Sequence, residues 1–135
     1  TMLGEPWKTA EKVREVLTTL YHDAPDGLSG NEDVGQMSSW YVLSAMGMYE
    51  VEPAGGRYWF GSPLFDRVEL DVPGGTFAIV AQNNSAENRY IQRVRLNGEA
   101  YEKPYIDYAA LMAGGELLFE MGPEPQVWYS DALAD

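Results

Sequence analysis

The sequence predicts an α+β protein: two N-terminal helices followed by an antiparallel β module, sandwich-like in build. Three observations predict it. Apolar residues recur at three- and four-residue spacing up to about residue 48. From about residue 50 the period drops to two. Turn pairs such as Pro73-Gly74-Gly75, Asn97-Gly98 and Gly114-Gly115 then divide the chain into strand-sized pieces. The boundary falls between a helical segment, 1–49, and a β module, 50–135.

The first helix opens at Pro6, whose missing N–H suits a first helical position. Trp7, Ala10, Val13, Val16, Leu17, Leu20 and Tyr21 form one apolar stripe, and Lys8, Glu11, Lys12, Arg14 and Glu15 fill the other face. The stripe reads as core. Residues 22–32 read as a loop, broken by Pro25, Gly27 and Gly30. Val34 to Met48 reads as a second helix ending near Gly47 or Met48, with apolar residues most of the way around. Such an element needs cover on nearly all sides, and one other helix in 135 residues is too little. The pattern expects a piece of a larger protein.

In the β module, Val68, Leu70 and Val72 alternate with Arg67, Glu69 and Asp71. Thr76 to Ala81 is a fuller apolar strand. Val94 and Leu96 alternate with Arg93 and Arg95, and Asn97-Gly98 signals a type I′ hairpin, whose two central residues both need positive φ. Leu117, Phe119 and Met121 alternate with Leu118 and Glu120. Strands at this spacing suggest a sandwich.

A chain of 135 residues buries about two-thirds of its unfolded surface, so a core needs no covalent staples. Zero cysteines exclude a disulfide framework and a thiolate zinc site. The net charge of −12 argues against nucleic acid, which needs clustered Lys and Arg. No apolar run approaches the ~20 residues of a membrane span, and no signal peptide is expected within these residues. The acidic excess lies in two blocks: residues 22–56 and residues 104–135 each carry six acids and no base. The second block has no reading beyond solubility.

The first block surrounds the segment that carries chemistry. Between Gly27 and Tyr41, two early glycines free the backbone, Glu32 and Asp33 place adjacent carboxylates at the mouth of an apolar helix, and Ser38, Ser39, Trp40 and Tyr41 add hydroxyls and aromatic faces. Asp33 with Gln36 three residues later fits a capping box. A carboxylate held ionised at a helix N-terminus also fits a general base. The two roles are compatible. An EF-hand calcium loop from Asp23 does not fit the required ligand spacing. His22 has no partner histidine, and the serines have no nearby histidine to act as base. His22 is expected at the exposed end of the first helix.

Residues 27–47, Gly-Leu-Ser-Gly-Asn-Glu-Asp-Val-Gly-Gln-Met-Ser-Ser-Trp-Tyr-Val-Leu-Ser-Ala-Met-Gly, resemble the signature of the calcium-dependent exo-α-mannosidases of glycoside hydrolase family 92. Pro6-Trp7-Lys8-Thr9, Gly61-Ser62-Pro63-Leu64-Phe65-Asp66, and Gly114-Gly115 with the strand ending Met121-Gly122 resemble the flanking segments. The resemblance covers nearly the whole chain. It implies a parent with an N-terminal β-sandwich and an (α/α)6-like catalytic toroid, of which this chain is a C-terminal portion: the last two helices and a terminal β module. It implies removal of terminal α-linked mannose, commonly α-1,2, with inversion, from mannose-containing glycans. It implies Asp33 as general base, with Glu32 beside it either repelling its charge or turned away to cap backbone. Asn31, Gln36 and Trp40 are the expected substrate contacts; some members carry an acid where Asn31 stands. The general acid and most calcium ligands would lie upstream, so no metal ligand is assigned in this chain, no cofactor is expected on the fragment, and the fragment alone is expected inactive. A secreted, periplasmic or cell-surface location for the parent is implied likewise.

Two other readings are open. Tyr58, Trp59, Phe60, Tyr101, Tyr105, Tyr108, Trp128 and Tyr129 would suit a non-catalytic carbohydrate-binding or scaffold module if exposed, although most are expected in the core. Glu32 and Asp33 alone would make a weak site for a hard cation. The uncovered helices are further expected to drive homodimer contacts.

Overall fold

The computed structural model of the chain describes residues 4–130. The acids Asp131 and Asp135 of the second acidic block lie outside the described residues, as do positions 1–3 of the helical segment.

Helix α1 runs Pro6–Thr19 with proline in its first turn. Ala10 and Leu17 are buried. Two expectations fail here. Leu20 caps the helix and is 49% exposed rather than core. Arg14, assigned to the polar face, is only 8% exposed. Its spacing explains this, since Ala10, Arg14 and Leu17 lie four and three residues apart and share one face. The guanidinium is a clasp between α1 and the β module. It donates to Ser62 Oγ (3.1 Å), Asn84 Oδ1 (2.9 Å) and the carbonyls of Pro63 and Ser85. Ser62 Oγ in turn donates to the Arg89 carbonyl at 2.7 Å. Every acceptor is neutral. Burial first, then the charge of Arg89, lowers the Arg14 pKa, yet a guanidinium remains charged at neutral pH. A second link is Tyr90 Oη–H to Glu11 Oε1 at 2.7 Å.

Helix α2 spans Gln36–Ala45, shorter at both ends than the predicted Val34–Met48. At its start Asp33, Val34 and Gly35 all have positive φ (47°, 61° and 90°), which keeps them out of the helix. At its end Gly47 also has positive φ (96°), and Met48–Tyr49 leave as strand β1. Only Ser44 and Ala45 of α2 are buried.

The remaining elements are β2 (Arg57–Phe60), β3 (Arg67–Val72), β4 (Gly75–Gln82), β5 (Tyr90–Leu96), β6 (Glu99–Ala100), β7 (Tyr105–Asp107), a short helix α3 (Tyr108–Met112) and β8 (Gly115–Gly122). They form a three-stranded sheet, β1-β2-β7, and a five-stranded sheet, β3-β4-β8-β5-β6. The predicted strands over 67–72, 76–81, 93–96 and 117–121 are all present. The hairpin at Asn97-Gly98 has both residues at positive φ (52° and 85°), as a type I′ turn needs. The module is not wholly antiparallel, however: β4 and β8 pair in parallel, Phe77 opposite Gly115 through Gln82 opposite Glu120. Residues 83–114 make the crossover that a parallel pair requires, and alternation within a strand carries no information about its partner's direction. Both sheets contribute to one core. Phe77, Leu117 and Phe119 come from the larger sheet, and Met48, Phe60 and Ile106 from the smaller.

Candidate active site

A tight turn delivers the chain from α1 to the site. His22 N–H donates to Gly27 O at 3.1 Å and Gly27 N–H to Ala24 O at 2.9 Å. A β-carbon on Gly27 would sit 1.8 Å from the His22 carbonyl, so only glycine closes this turn. His22 is exposed, as expected, with Nε2 3.8 Å from Asp26 Oδ1.

The first four N–H groups of a helix lack intrahelical acceptors, and at α2 each can be traced. Gln36 N–H donates to the Asp33 carbonyl (3.4 Å) and Met37 N–H to the Glu32 carbonyl (3.3 Å). Ser39 N–H donates to the Gly35 carbonyl (2.9 Å). Ser38 N–H donates to the Glu32 side chain, Oε1, at 3.3 Å. The predicted capping box is therefore absent: the Asp33 carboxylate caps nothing and Gln36 begins the helix with its side chain exposed. Glu32, not Asp33, takes the capping role, across a left-handed turn at 33–35. Of the two expectations for Glu32, the structure shows the turn toward backbone. Its Oε2 is buried without a hydrogen-bond partner.

The Asp33 carboxylate is exposed and has no hydrogen-bond or ion-pair partner among the described residues. The next residue, Val34, is fully exposed at a φ that β-branched side chains avoid. Strained backbone of this kind clusters at functional sites. Asn31 is also exposed, with no contact to Asp33.

Trp40 stands one turn beyond Gln36. Tyr21 stacks on it (centroids 5.6 Å apart, planes 18° apart) and leans on Tyr41 at 5.1 Å. Burial first, then the Glu32 carboxylate, raises the Tyr21 pKa. Trp40 also borders a largely apolar cavity of about 400 Å³ between α1, α2 and the small sheet, with Thr9, Val13, Ser44, Met48 and Trp59. A second hollow of about 300 Å³ is walled by Tyr21, His22, Asp23, Gly27, Leu28 and Tyr41. Neither wall includes Asn31, Glu32, Asp33 or Gln36. The structure thus brings Glu32 to the helix N-terminus and Trp40 to Tyr21, and leaves Asp33, Asn31 and Gln36 facing outward. Tyr21 was read only as core; its place on Trp40, beside the Glu32 charge, was missed, and the sequence holds no signal for it.

Calcium, which the family resemblance implies for the parent, takes six to eight oxygen ligands. Among the described residues no three His, Asp or Glu side chains gather to hold a metal ion. These residues do not fit a calcium site by themselves, and Glu32 with Asp33 alone is too small a set.

The aromatic residues of the β module form no exposed platform. Trp59, Phe60, Tyr105 and Tyr129 are buried, and Tyr58, Tyr101 and Trp128 are half-buried. Phe60 meets Phe119 edge-on at 5.1 Å and Trp128 at 5.9 Å. Tyr108 is exposed, as is Phe65 elsewhere in the module.

Residues 1–123 match the glycosyl hydrolase family 92 catalytic domain. An uncharacterized secreted glycosidase of Arthroderma benhamiae is 31% identical over 129 residues, covering 93% of this chain and 17% of that protein. Among solved structures, the family GH92 inverting mannosidase BT2199 of Bacteroides thetaiotaomicron is 43% identical, with a TM-score of 0.82 over 90% of this chain and 17% of that one. The family GH92 α-mannosidase BT3965 of the same organism, in complex with mannoimidazole, is 35% identical, with a TM-score of 0.87 over 93% of this chain and 17% of that one. The chain therefore spans about a sixth of the length of these relatives.

Proposed function

The chain belongs to glycosyl hydrolase family 92, and from that premise we propose that it is the C-terminal portion of an inverting exo-α-mannosidase, with Asp33 as the general base. The observation that carries this reading is the free Asp33 carboxylate. It sits at the start of α2, where the helix dipole favours its charge, and Glu32 relieves it of capping. A base must reach a water molecule, and a carboxylate engaged by backbone N–H groups would be less available to do so.

The reaction needs two carboxyl groups. An inverting glycosidase protonates the leaving oxygen with one and activates water with the other, the pair lying roughly 6.5–9.5 Å apart. Asp33 supplies the second role; we assign the acid to polypeptide outside residues 1–135. Calcium ligands are assigned there too. The substrate class is terminal α-linked mannose, α-1,2 by preference, in mannose-containing glycans. Asn31, Gln36 and Trp40 are assigned to substrate, Trp40 through the edge that Tyr21 leaves open. The segment 1–49 belongs to the catalytic toroid and 50–135 to a terminal β module whose two sheets pack sandwich-like, although Met46 and Met48 already join the β core. A location outside the cytoplasm is supported by the fungal relative's description as secreted. Apart from the parent polypeptide, the uncovered helices favour self-association of the isolated chain.

The test is mannose release from an α-1,2-mannobiose, with calcium present, followed by proton NMR. The full-length enzyme is expected to release β-mannose first, and the purified 135-residue chain none. Release by the chain alone would overturn its assignment as an incomplete catalyst, and α-mannose as first product would overturn inversion.

A further inference from the structure

We propose that Glu32 is a positioning residue, whose Oε1 hydrogen bond to the Ser38 N–H keeps the Asp33 carboxylate out of the helix cap and free to meet water. This rests on the reading of Asp33 as base and adds to it how the base is kept available.

The two adjacent acids compete for one helix end. Aspartate followed three residues later by glutamine is itself a capping signal, so the local preference of the sequence is for Asp33 to fold back onto the first turn. The structure shows the other outcome. The Glu32 carbonyl takes Met37 N–H, and the Glu32 side chain takes Ser38 N–H at 3.3 Å. With the Asp33 and Gly35 carbonyls serving Gln36 and Ser39, each N–H of the first turn of α2 already has an acceptor other than the Asp33 carboxylate. The Glu32 carboxylate also lies over the turn itself, its Oε1 3.8 Å from where a β-carbon on Gly35 would stand. That turn is left-handed at three consecutive residues, 33–35. The Glu32 carboxylate thus sits against the turn that carries Asp33.

Glu32 is poorly placed for proton transfer in its own right. One oxygen is committed to backbone and the other is buried without a partner. A proton shuttle needs an accessible oxygen. What the site uses from Glu32 is a single acceptor at the right place, and an amide oxygen would serve as well.

This separates two substitutions in the full-length enzyme. Glu32→Gln keeps the acceptor and removes the charge. Its kcat is expected within about threefold of wild type, with an unchanged pH profile. Glu32→Ala removes the acceptor and lets Asp33 collapse onto Ser38 N–H. Its kcat is expected to fall at least about tenfold with little change in KM, because water activation rather than binding is lost. In the 135-residue chain, the carbon-13 shift of the Asp33 carboxyl at neutral pH should move in Glu32→Ala, where it gains the Ser38 N–H, and stay close to wild type in Glu32→Gln. Equal damage in both variants, or loss of one limb of the pH profile in Glu32→Gln, would overturn the proposal by showing that the charge matters. Full activity in Glu32→Ala would overturn it by showing that the clamp does not. Should the wild-type enzyme release no mannose, the functional reading fails, while the Asp33 carboxyl shift still decides whether Glu32 controls that carboxylate.

Discussion

Strand β4 and helix α2 have similar apolar content and opposite fates. Phe77, Ile79 and Ala81 of β4 are buried in the core that β8 and the small sheet share. In α2 the run Trp40 to Leu43 contains no buried residue, and Val42 is 51% exposed. Apolar surface contributes in proportion to the area removed from water, so the β module finds its partners within the chain and the helix does not. The difference locates the division of labour in the proposed enzyme. The β module closes on itself; α1 and α2 are held to it at one side, and their other faces are left uncovered. The loop with Asp33 lies at that open side.

The largest test of this contrast is Phe119→Ala. Phe119 is fully buried where the sheets meet and packs edge-on against Phe60. Its loss should cost about 4 kcal/mol by urea denaturation, with α1 and the strands losing protection together. Arg14→Ala comes next. It strands the Pro63 carbonyl, Asn84 and Ser62 in a closed interface and should cost about 2–3 kcal/mol. Amide exchange should quicken in α1 while β4 and β8 keep their protection; equal quickening in all three would break the contrast by making helix and sheets one cooperative unit. The smallest effect is Tyr101→Phe, which removes the bond from Tyr101 Oη–H to the Tyr105 carbonyl at 2.9 Å and should cost about 1 kcal/mol. Burial first, then Asp107 and Tyr105, pushes the Tyr101 pKa up to about 12. An unfolded tyrosine ionises near pH ~10. The neutral phenol thus contributes stability that is complete below about pH 10 and is lost as pH rises through about 12. Denaturation midpoints between those pH values should fall less steeply in Tyr101→Phe than in wild type.

The β half was the more readable in sequence because its signals are local. Alternation at 67–72 and the Asn97-Gly98 pair each specify a conformation regardless of what lies across from them. Pairing direction is not local, and the parallel β4–β8 contact was invisible for that reason. The two-residue strands β1 and β6 are too short to show a period. Arg14 was misplaced because a charge was taken as a mark of the surface, although its spacing from Ala10 and Leu17 put it on the buried face. At the site, Glu32 and Asp33 are legible as neighbouring acids before a helix, and which of them caps it is not. Asp33 and Gln36 fit a capping box by type and spacing, but the positive φ of three consecutive residues, two of them not glycine, has no sequence signature. In that conformation Glu32 holds the cap.

The carboxylate freed in this way is proposed as the base of an inverting mannosidase. The most direct measurement is the kcat of full-length Asp33→Asn on an α-linked mannoside, with the fold checked by circular dichroism. Removal of a general base is expected to lower kcat by about 10²–10⁴-fold with the fold intact. Activity within about threefold of wild type in Asp33→Asn would contradict it.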